Sequence, residues 1–240
     1  MDDGEIGKLV ALERRHWWYR ERRALLSRAV RDLPVGRALD IGAAGGGNTL
    51  VLTGLGWSAC ALEHSHPGAE VAAERGLPVV RADALHLPFA DASLDLVTAL
   101  DVLEHLQDDR TAAAEICRVL RPGGRVVVTV PVDLRLWSAH DEAVGHVRRY
   151  ARPEIIALLR GVGLEVESVR SWMVLLRPAV AVQRRRSTGS DLSDPPRWAN
   201  IVLGGVVRAE RHLPVGGLPG VSLLLRARRP GGHGGGPAGG

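Results

Sequence analysis

The chain has 240 residues, 45% of them hydrophobic, and a net charge of +4 that comes almost wholly from arginine. That length and composition suit one α/β domain with an embellishment, and the modest charge permits an acidic partner without demanding a nucleic acid. Cys60 and Cys117 are too few for a disulfide framework or a zinc site; with no signal-peptide profile at the acidic start and no apolar run of roughly 18–20 residues, the expected setting is cytoplasmic.

Residues 5–32 have no proline and no glycine after Gly7, and Leu9, Leu12, Trp17, Leu25, Leu26 and Val30 recur at near-helical spacing. They read as one or two amphipathic helices ending before Pro34. Three adjacent aromatics, Trp17, Trp18 and Tyr19, cannot share one helix face, so at least one looks elsewhere, with a lid over a ligand as a destination. Ala38–Ile41 reads as a first, buried strand, followed by a glycine-rich turn and a helix opening near Asn48. Trp57–Leu62 reads as a second strand ending at Glu63, residues 69–75 as a helix, and Val79–Ala82 as a third strand ending at Asp83. After a turn-rich loop comes a fourth strand, Leu94–Leu100, ending at Asp101. A helix over Asp109–Leu120, a tight turn at Arg121–Gly124 and a buried fifth strand, Arg125–Val130, complete a β/α alternation. Such alternation means a doubly wound, mostly parallel sheet.

The turn at 42–47 lets a ligand approach the backbone, because glycine lacks a Cβ and tolerates positive φ. The helix start beyond it offers free N–H groups to a polar or anionic ligand. The dinucleotide fingerprint G-x-G-x-x-G fails in both registers: from Gly42 the third position is Ala44, and from Gly45 the sixth is Leu50. An acidic residue at the end of the second strand, Glu63, has the spacing and chemistry to hold both hydroxyls of a ribose.

Asp40, Gly42, Ala44 and Gly46 resemble motif I (D-x-G-x-G-x-G) of the class I S-adenosylmethionine (SAM) methyltransferases, with Ala44 in place of the middle glycine. Leu87–Val97 is similar to that family's "lPF-d-sFD-v" stretch, and Leu-Arg-Pro-Gly-Gly before the valine run matches it again. The chain also carries HWW-x-x-x-R-R near its start and HD-x-x-G-H-x-R-R-Y after strand five, as in a small-molecule branch similar to quinone-biosynthesis methyltransferases. The resemblance implies a seven-stranded Rossmann-like methyltransferase fold with SAM as cofactor. It implies that Asp40 lies near the methionine end of SAM, that the turn passes beside it, and that Glu63 holds the ribose. It further implies Asp83 on the adenine amino group, the Ala84 N–H against the ring, and Asp101 near the methionine amino group.

Residues 131–150 follow strand five and so lie over the carboxyl ends of the strands, where α/β sheets bind ligands. Here His140 is the candidate general base, with Asp141 or Glu142 to orient it. His146, Arg148, Arg149 and Tyr150 are candidate substrate contacts, the arginines for a carboxylate or phosphate. The spacing of the two histidines and the carboxylates fits no tight metal motif, so no metal is expected. Residues 153–161 read as a helix and Leu164–Val169 as strand six. The family's strand seven, antiparallel between five and six, is best matched by Val221–Arg228.

The organisation expected is a helical lid (1–34), a SAM-binding α/β core (35–171), a helical insert (172–217), the last core strand (218–229) and a disordered glycine-rich tail (230–240). The insert suits a cap over a lipophilic substrate, a dimer contact or a peripheral membrane contact. The expected activity is methyl transfer to a small organic acceptor, at oxygen. A nicotinamide oxidoreductase is disfavoured by the failed fingerprint, and an RNA methyltransferase by the lack of an appended RNA-binding module. A SAM-binding partner protein of weak catalysis stays open.

Overall fold

A computed structural model describes residues 10, 12–13, 15–186, 188–189 and 195–231. Parts of the expected lid (1–9, 11 and 14), of the arginine- and serine-bearing loop (187 and 190–194) and of the tail (232–240) lie outside the described residues. The strands are β1 (Arg37–Ile41), β2 (Ser58–Glu63), β3 (Val79–Arg81), β4 (Leu94–Leu100), β5 (Leu120–Pro131), β6 (Glu165–Trp172) and β7 (Ser222–Arg228). The helices are α1 (Trp17–Val30), α2 (Gly47–Gly54), α3 (His66–Glu74), α4 (Asp109–Val119), α5 (Ala139–Ala143), α6 (Arg152–Gly161), α7 (Arg177–Arg184) and α8 (Arg197–Glu210).

One sheet runs β3-β2-β1-β4-β5-β7-β6. Six strands run in one direction, and β7 lies antiparallel between β5 and β6. Chain order reverses between β1 and β4, which opens a crevice at their carboxyl ends. The valine run explains the centre: Val126, Val127, Val128 and Val130 are all fully buried, as a strand covered on both faces requires. On one face Leu26 and Val30 of α1 and Leu52 of α2 pack against Ala38, Leu96, Leu100 and Val127. On the other, Ile116 of α4 and Ile155 and Leu159 of α6 meet Leu39, Val97 and Val126. Each fully buried leucine or isoleucine contributes about 1.5–3 kcal/mol.

Local chemistry sets the boundaries. Helix α3 starts at His66, three residues earlier than periodicity suggests, because the Ser65 hydroxyl accepts from Gly68 N at 3.1 Å and Pro67 fits the first turn. Asp108 caps α4 by accepting from Thr111 N at 2.9 Å. The turn expected at Arg121–Gly124 lies inside β5: Leu120 pairs with Leu94, and the register then slips before Leu96 pairs with Arg125. Gly123 takes up the slip at φ 81°.

The N-terminal helix and the insert are joined. Asn200 of α8 accepts from Trp17 N at 2.7 Å and donates to Arg15 O at 2.8 Å. Trp18 stacks on Trp172 with ring centroids 5.5 Å apart, and Arg211 pairs with the buried Glu21. The three aromatics divide as their spacing demands: Trp17 and Trp18 turn toward this cluster, while Tyr19 is buried with its ring 5.4 Å below the Arg22 guanidinium. Among the described residues no helix is long and apolar enough to cross a membrane.

Candidate active site

The chain leaves β1 in a left-handed zigzag, with φ 66° at Gly42, 47° at Ala44 and 81° at Gly46. Two of these positions are glycine, which adopts such angles freely; Ala44 adopts them at a cost. A Cβ at Gly46 would stand 2.3 Å from Leu77 Cδ1, so close packing as well as φ requires glycine there. No side chain caps the helix that follows, so the N-terminus of α2 presents unsatisfied N–H groups. The N-terminal segment closes over this turn. Glu13, buried, pairs with Arg75, and Arg75 also donates to Gly45 O at 2.5 Å.

Asp40 lies beneath the turn. Its oxygens accept from Thr49 Oγ1 at 2.8 Å and Thr98 Oγ1 at 2.7 Å. Burial pushes its pKa up against those two hydrogen bonds. With one donor on each oxygen, Asp40 ties β1, β4 and α2 together under the turn. Glu63, at the end of β2, accepts from Ala44 N at 2.7 Å and from Ser65 N at 2.8 Å, one donor per oxygen. A carboxylate oxygen has a second lone pair, so both oxygens keep capacity for ribose hydroxyls.

Asp83 follows β3, exposed, with one oxygen on Leu85 N at 2.9 Å; Ala84 beside it is buried. Asp101 follows β4 at φ 59°, a conformation that L-residues hold under strain and that concentrates at functional sites. It accepts from Arg22 Nη1 at 2.9 Å, and that guanidinium also lies over Trp18 at 4.7 Å. Gly42, Ala44, Gly46, Glu63, Asp83 and Asp101 thus line the carboxyl ends of four neighbouring strands. Positive-φ turn, uncapped helix start and spare carboxylate capacity fit an adenosyl cofactor.

The segment after β5 folds differently from expectation. Asp141 is fully buried. It accepts from His146 Nδ1 at 2.8 Å and from Arg149 Nε at 2.8 Å. Burial opposes its ionisation, but the His146 hydrogen bond and the Arg149 charge outweigh it and hold the carboxyl below its ordinary range. His140 is pushed down to about 3, by burial first and by the Arg184 charge second. His105 is pushed down as well, to about 4, by burial first and by the His146 charge second.

Three expected substrate contacts turn inward. Arg149 is buried on Asp141 and on Val132 O at 3.2 Å. Arg148 donates to Asp109 Oδ2 at 2.6 Å and Gln107 O at 2.8 Å. The Tyr150 hydroxyl donates to the same Asp109 oxygen at 2.7 Å and is buried, which with Asp109 raises its pKa. These groups brace the loop onto α4 and β5.

Two residues missed in the sequence stand at the centre of this half. Glu104 is fully buried, and neither of its carboxylate oxygens has a hydrogen-bond partner. Burial, then the charge of Asp101, pushes its pKa well up. His105 lies edge-on to His146 with ring centroids 4.7 Å apart, and its Nδ1 is 3.1 Å from Gly145 O. His146 Nε2 is 3.8 Å from Glu104 Oε1. The signal lay in sequence: an acid and a histidine stand four and five residues beyond the fourth strand.

A family model described as "Methyltransferase domain" matches residues 39–128. A demethylmenaquinone methyltransferase of Mycobacterium sp. (strain KMS) is 31% identical over 208 residues, covering 83% of this chain and 83% of the relative. One of Mycobacterium tuberculosis (strain ATCC 25618 / H37Rv) is 30% identical over 208 residues, 83% and 82% of the two chains. Among solved structures, phosphoethanolamine N-methyltransferase 2 of Haemonchus contortus, in complex with SAM, superposes at TM-score 0.60 and 20% identity, over 89% of this chain and 53% of that one. A [4+2]-cyclase superposes at 0.61 and 20%, over 88% and 81%, so at this distance the likeness shows the fold alone. Motif, fold and relatives agree: the chain belongs to the class I SAM-dependent methyltransferases, similar to those of quinone biosynthesis, and is an enzyme that uses SAM.

Proposed function

We propose that this enzyme methylates an oxygen of a small organic acceptor. The observation that carries the reading is the cluster of buried Glu104 and Asp141 with half-buried His105 and His146 beside Asp101, near the end of β4. An acceptor hydroxyl must shed its proton as it becomes a nucleophile, and a cluster of imidazoles and carboxylates next to the methyl-donor site suits that need. The relatives named for demethylmenaquinone support an acceptor of quinone type.

Bound SAM supplies an electrophilic methyl group on a positively charged sulfur. The chain's own residues do the rest. The 42–47 turn passes beside the methionine end, Glu63 accepts from the ribose hydroxyls, and Asp83 with the Ala84 N–H meets the adenine. Asp101 receives the methionine amino group, exchanging Arg22 for it. Helix α1 and the 172–217 insert act as one cover that excludes water and fixes the acceptor in line with the methyl. The Glu104–His105–His146 cluster promotes loss of the acceptor's proton.

The test is incubation with SAM and a panel of phenols, catechols and reduced quinones, with products assigned by mass and NMR. A methoxy product from a ring hydroxyl is the expected result. Methylation at carbon or nitrogen alone would overturn the oxygen assignment.

A further inference from the structure

We propose that Glu104, His105 and His146 form a binding site for a divalent transition ion of the Zn2+ class, with Asp141 as its outer support. One potential ligand atom from each of the three side chains falls in a group whose members all lie within 4.8 Å of one another. Tetrahedral Zn2+ with bonds of about 2.0–2.2 Å sets its ligand atoms about 3.3–3.5 Å apart. The 3.8 Å between Glu104 Oε1 and His146 Nε2 is within a small side-chain movement of that.

The surrounding hydrogen bonds prepare both imidazoles as ligands. His146 Nδ1 faces Asp141 Oδ1 at 2.8 Å, and His105 Nδ1 faces Gly145 O at 3.1 Å. Neither a carboxylate nor a carbonyl can donate, so each Nδ1 carries the hydrogen and each Nε2 keeps its lone pair. A histidine whose far N–H is held by a carboxylate or carbonyl is the outer arrangement that orients metal-binding imidazoles. Glu104 is the second, independent observation: a carboxylate with no exposure and no partner on either oxygen. Leaving such a group unsatisfied is costly, and a cation between it and two imidazoles removes the cost. Two nitrogens and one oxygen suit Zn2+, Co2+ or Fe2+ over Mg2+ or Ca2+, which take oxygen ligands. Three protein ligands leave a fourth position open, as in catalytic metal sites.

Its role rests on the oxygen-acceptor reading above. An acceptor hydroxyl in the open position would lose its proton to solvent more readily as it binds, before the cover excludes water, as a metal-bound oxygen does. The oxygen then forms a bond to the methyl carbon as the carbon–sulfur bond breaks. That electron pair stays on sulfur, and S-adenosylhomocysteine leaves.

The experiment uses the full, tag-free chain stripped with a chelator and titrated with Co2+, read by visible absorption, with Zn2+ as competitor. Expected is one Co2+ per chain, with the intense visible bands of a four- or five-coordinate site, displaced by Zn2+. His105→Ala and Glu104→Gln should each weaken Co2+ at least about a hundredfold. His105 is only half-buried, so its variant folds even where Glu104→Gln does not. Absence of saturable binding, or equal binding by His105→Ala, would overturn the site. Titration with S-adenosylhomocysteine on the same samples reports the cofactor half independently. The metal is read without an acceptor and the methylated atom without Co2+, so either proposal can fail alone.

Discussion

At the carboxyl ends of β1 and β2 the ligand-facing surface is made by backbone. A few residues at positive φ, one helix start and one carboxylate hold it, all within the stretch from Gly42 to Glu63. Over β4 and β5 the surface is made by side chains that reach across the sequence: Arg148 to Asp109, Val147 N to Glu104 O, His105 to Gly145. The first half is local, set by backbone conformation and by the close packing of its glycines. The second is a polar network in low dielectric, where each member depends on its neighbours and loss of one leaves others unpaired.

The largest expected effect tests that dependence. Asp141→Ala removes the carboxylate between Arg149 and His146, and the Arg149 guanidinium, whose side chain is 1% exposed, keeps its charge with no carboxylate. Breaking one partner of a buried pair costs about 3–5 kcal/mol. Urea unfolding should show that loss, while affinity for S-adenosylhomocysteine in the folded protein stays within about twofold. A drop in cofactor affinity as large as the drop in stability would join the two halves and break the comparison.

This difference also decides what was legible. Asp40, Gly42, Glu63, Asp83 and Asp101 were placed at strand ends because short-range pattern fixes them: a strand, a turn residue, an acid. The insertion of β7 between β5 and β6 followed from the family resemblance. The internal partners of Arg148, Arg149 and Tyr150 were not legible, because residue type says nothing about which way a side chain turns. All three face Asp109, Asp141 or backbone carbonyls contributed by other elements. The hydrogen bond of Asp141 to His146 was hidden for the same reason. Asp141 is adjacent to His140 in sequence, but the short helix α5 turns its carboxylate toward His146, five residues on. The partnerless carboxylate of Glu104 has no sequence signature, since burial and satisfaction are properties of the assembled fold.

Glu63→Ala comes next in size and probes the local half. Its oxygens fix Ala44 N and Ser65 N, and the reading above gives it the ribose as well. Calorimetric titration should show S-adenosylhomocysteine bound about tenfold or more weakly, roughly 1.4 kcal/mol. Co2+ binding at the other half should be unchanged. An affinity within twofold of the original would remove the ribose role and leave Glu63 as a brace for the turn.

The smallest effect is the most pointed. Ala44 stands where the family motif has its middle glycine, and its φ of 47° is one that glycine adopts freely and alanine does not. A left-handed L-residue costs about 1–2 kcal/mol, while glycine loses more entropy on folding by about 0.5–1 kcal/mol. The two terms oppose each other, so Ala44→Gly should stabilise the protein by about 1 kcal/mol or less, read as a small rise in urea midpoint. S-adenosylhomocysteine affinity should stay equal or rise slightly, because the backbone keeps its path and sheds a methyl group. Ala44→Val is the counterpart: a β-branched residue at positive φ has no easy rotamer, and it should lose both stability and cofactor affinity. Were valine tolerated as well as glycine, the turn would not be set by backbone conformation, and the contrast between a local half and a networked half would lose its basis.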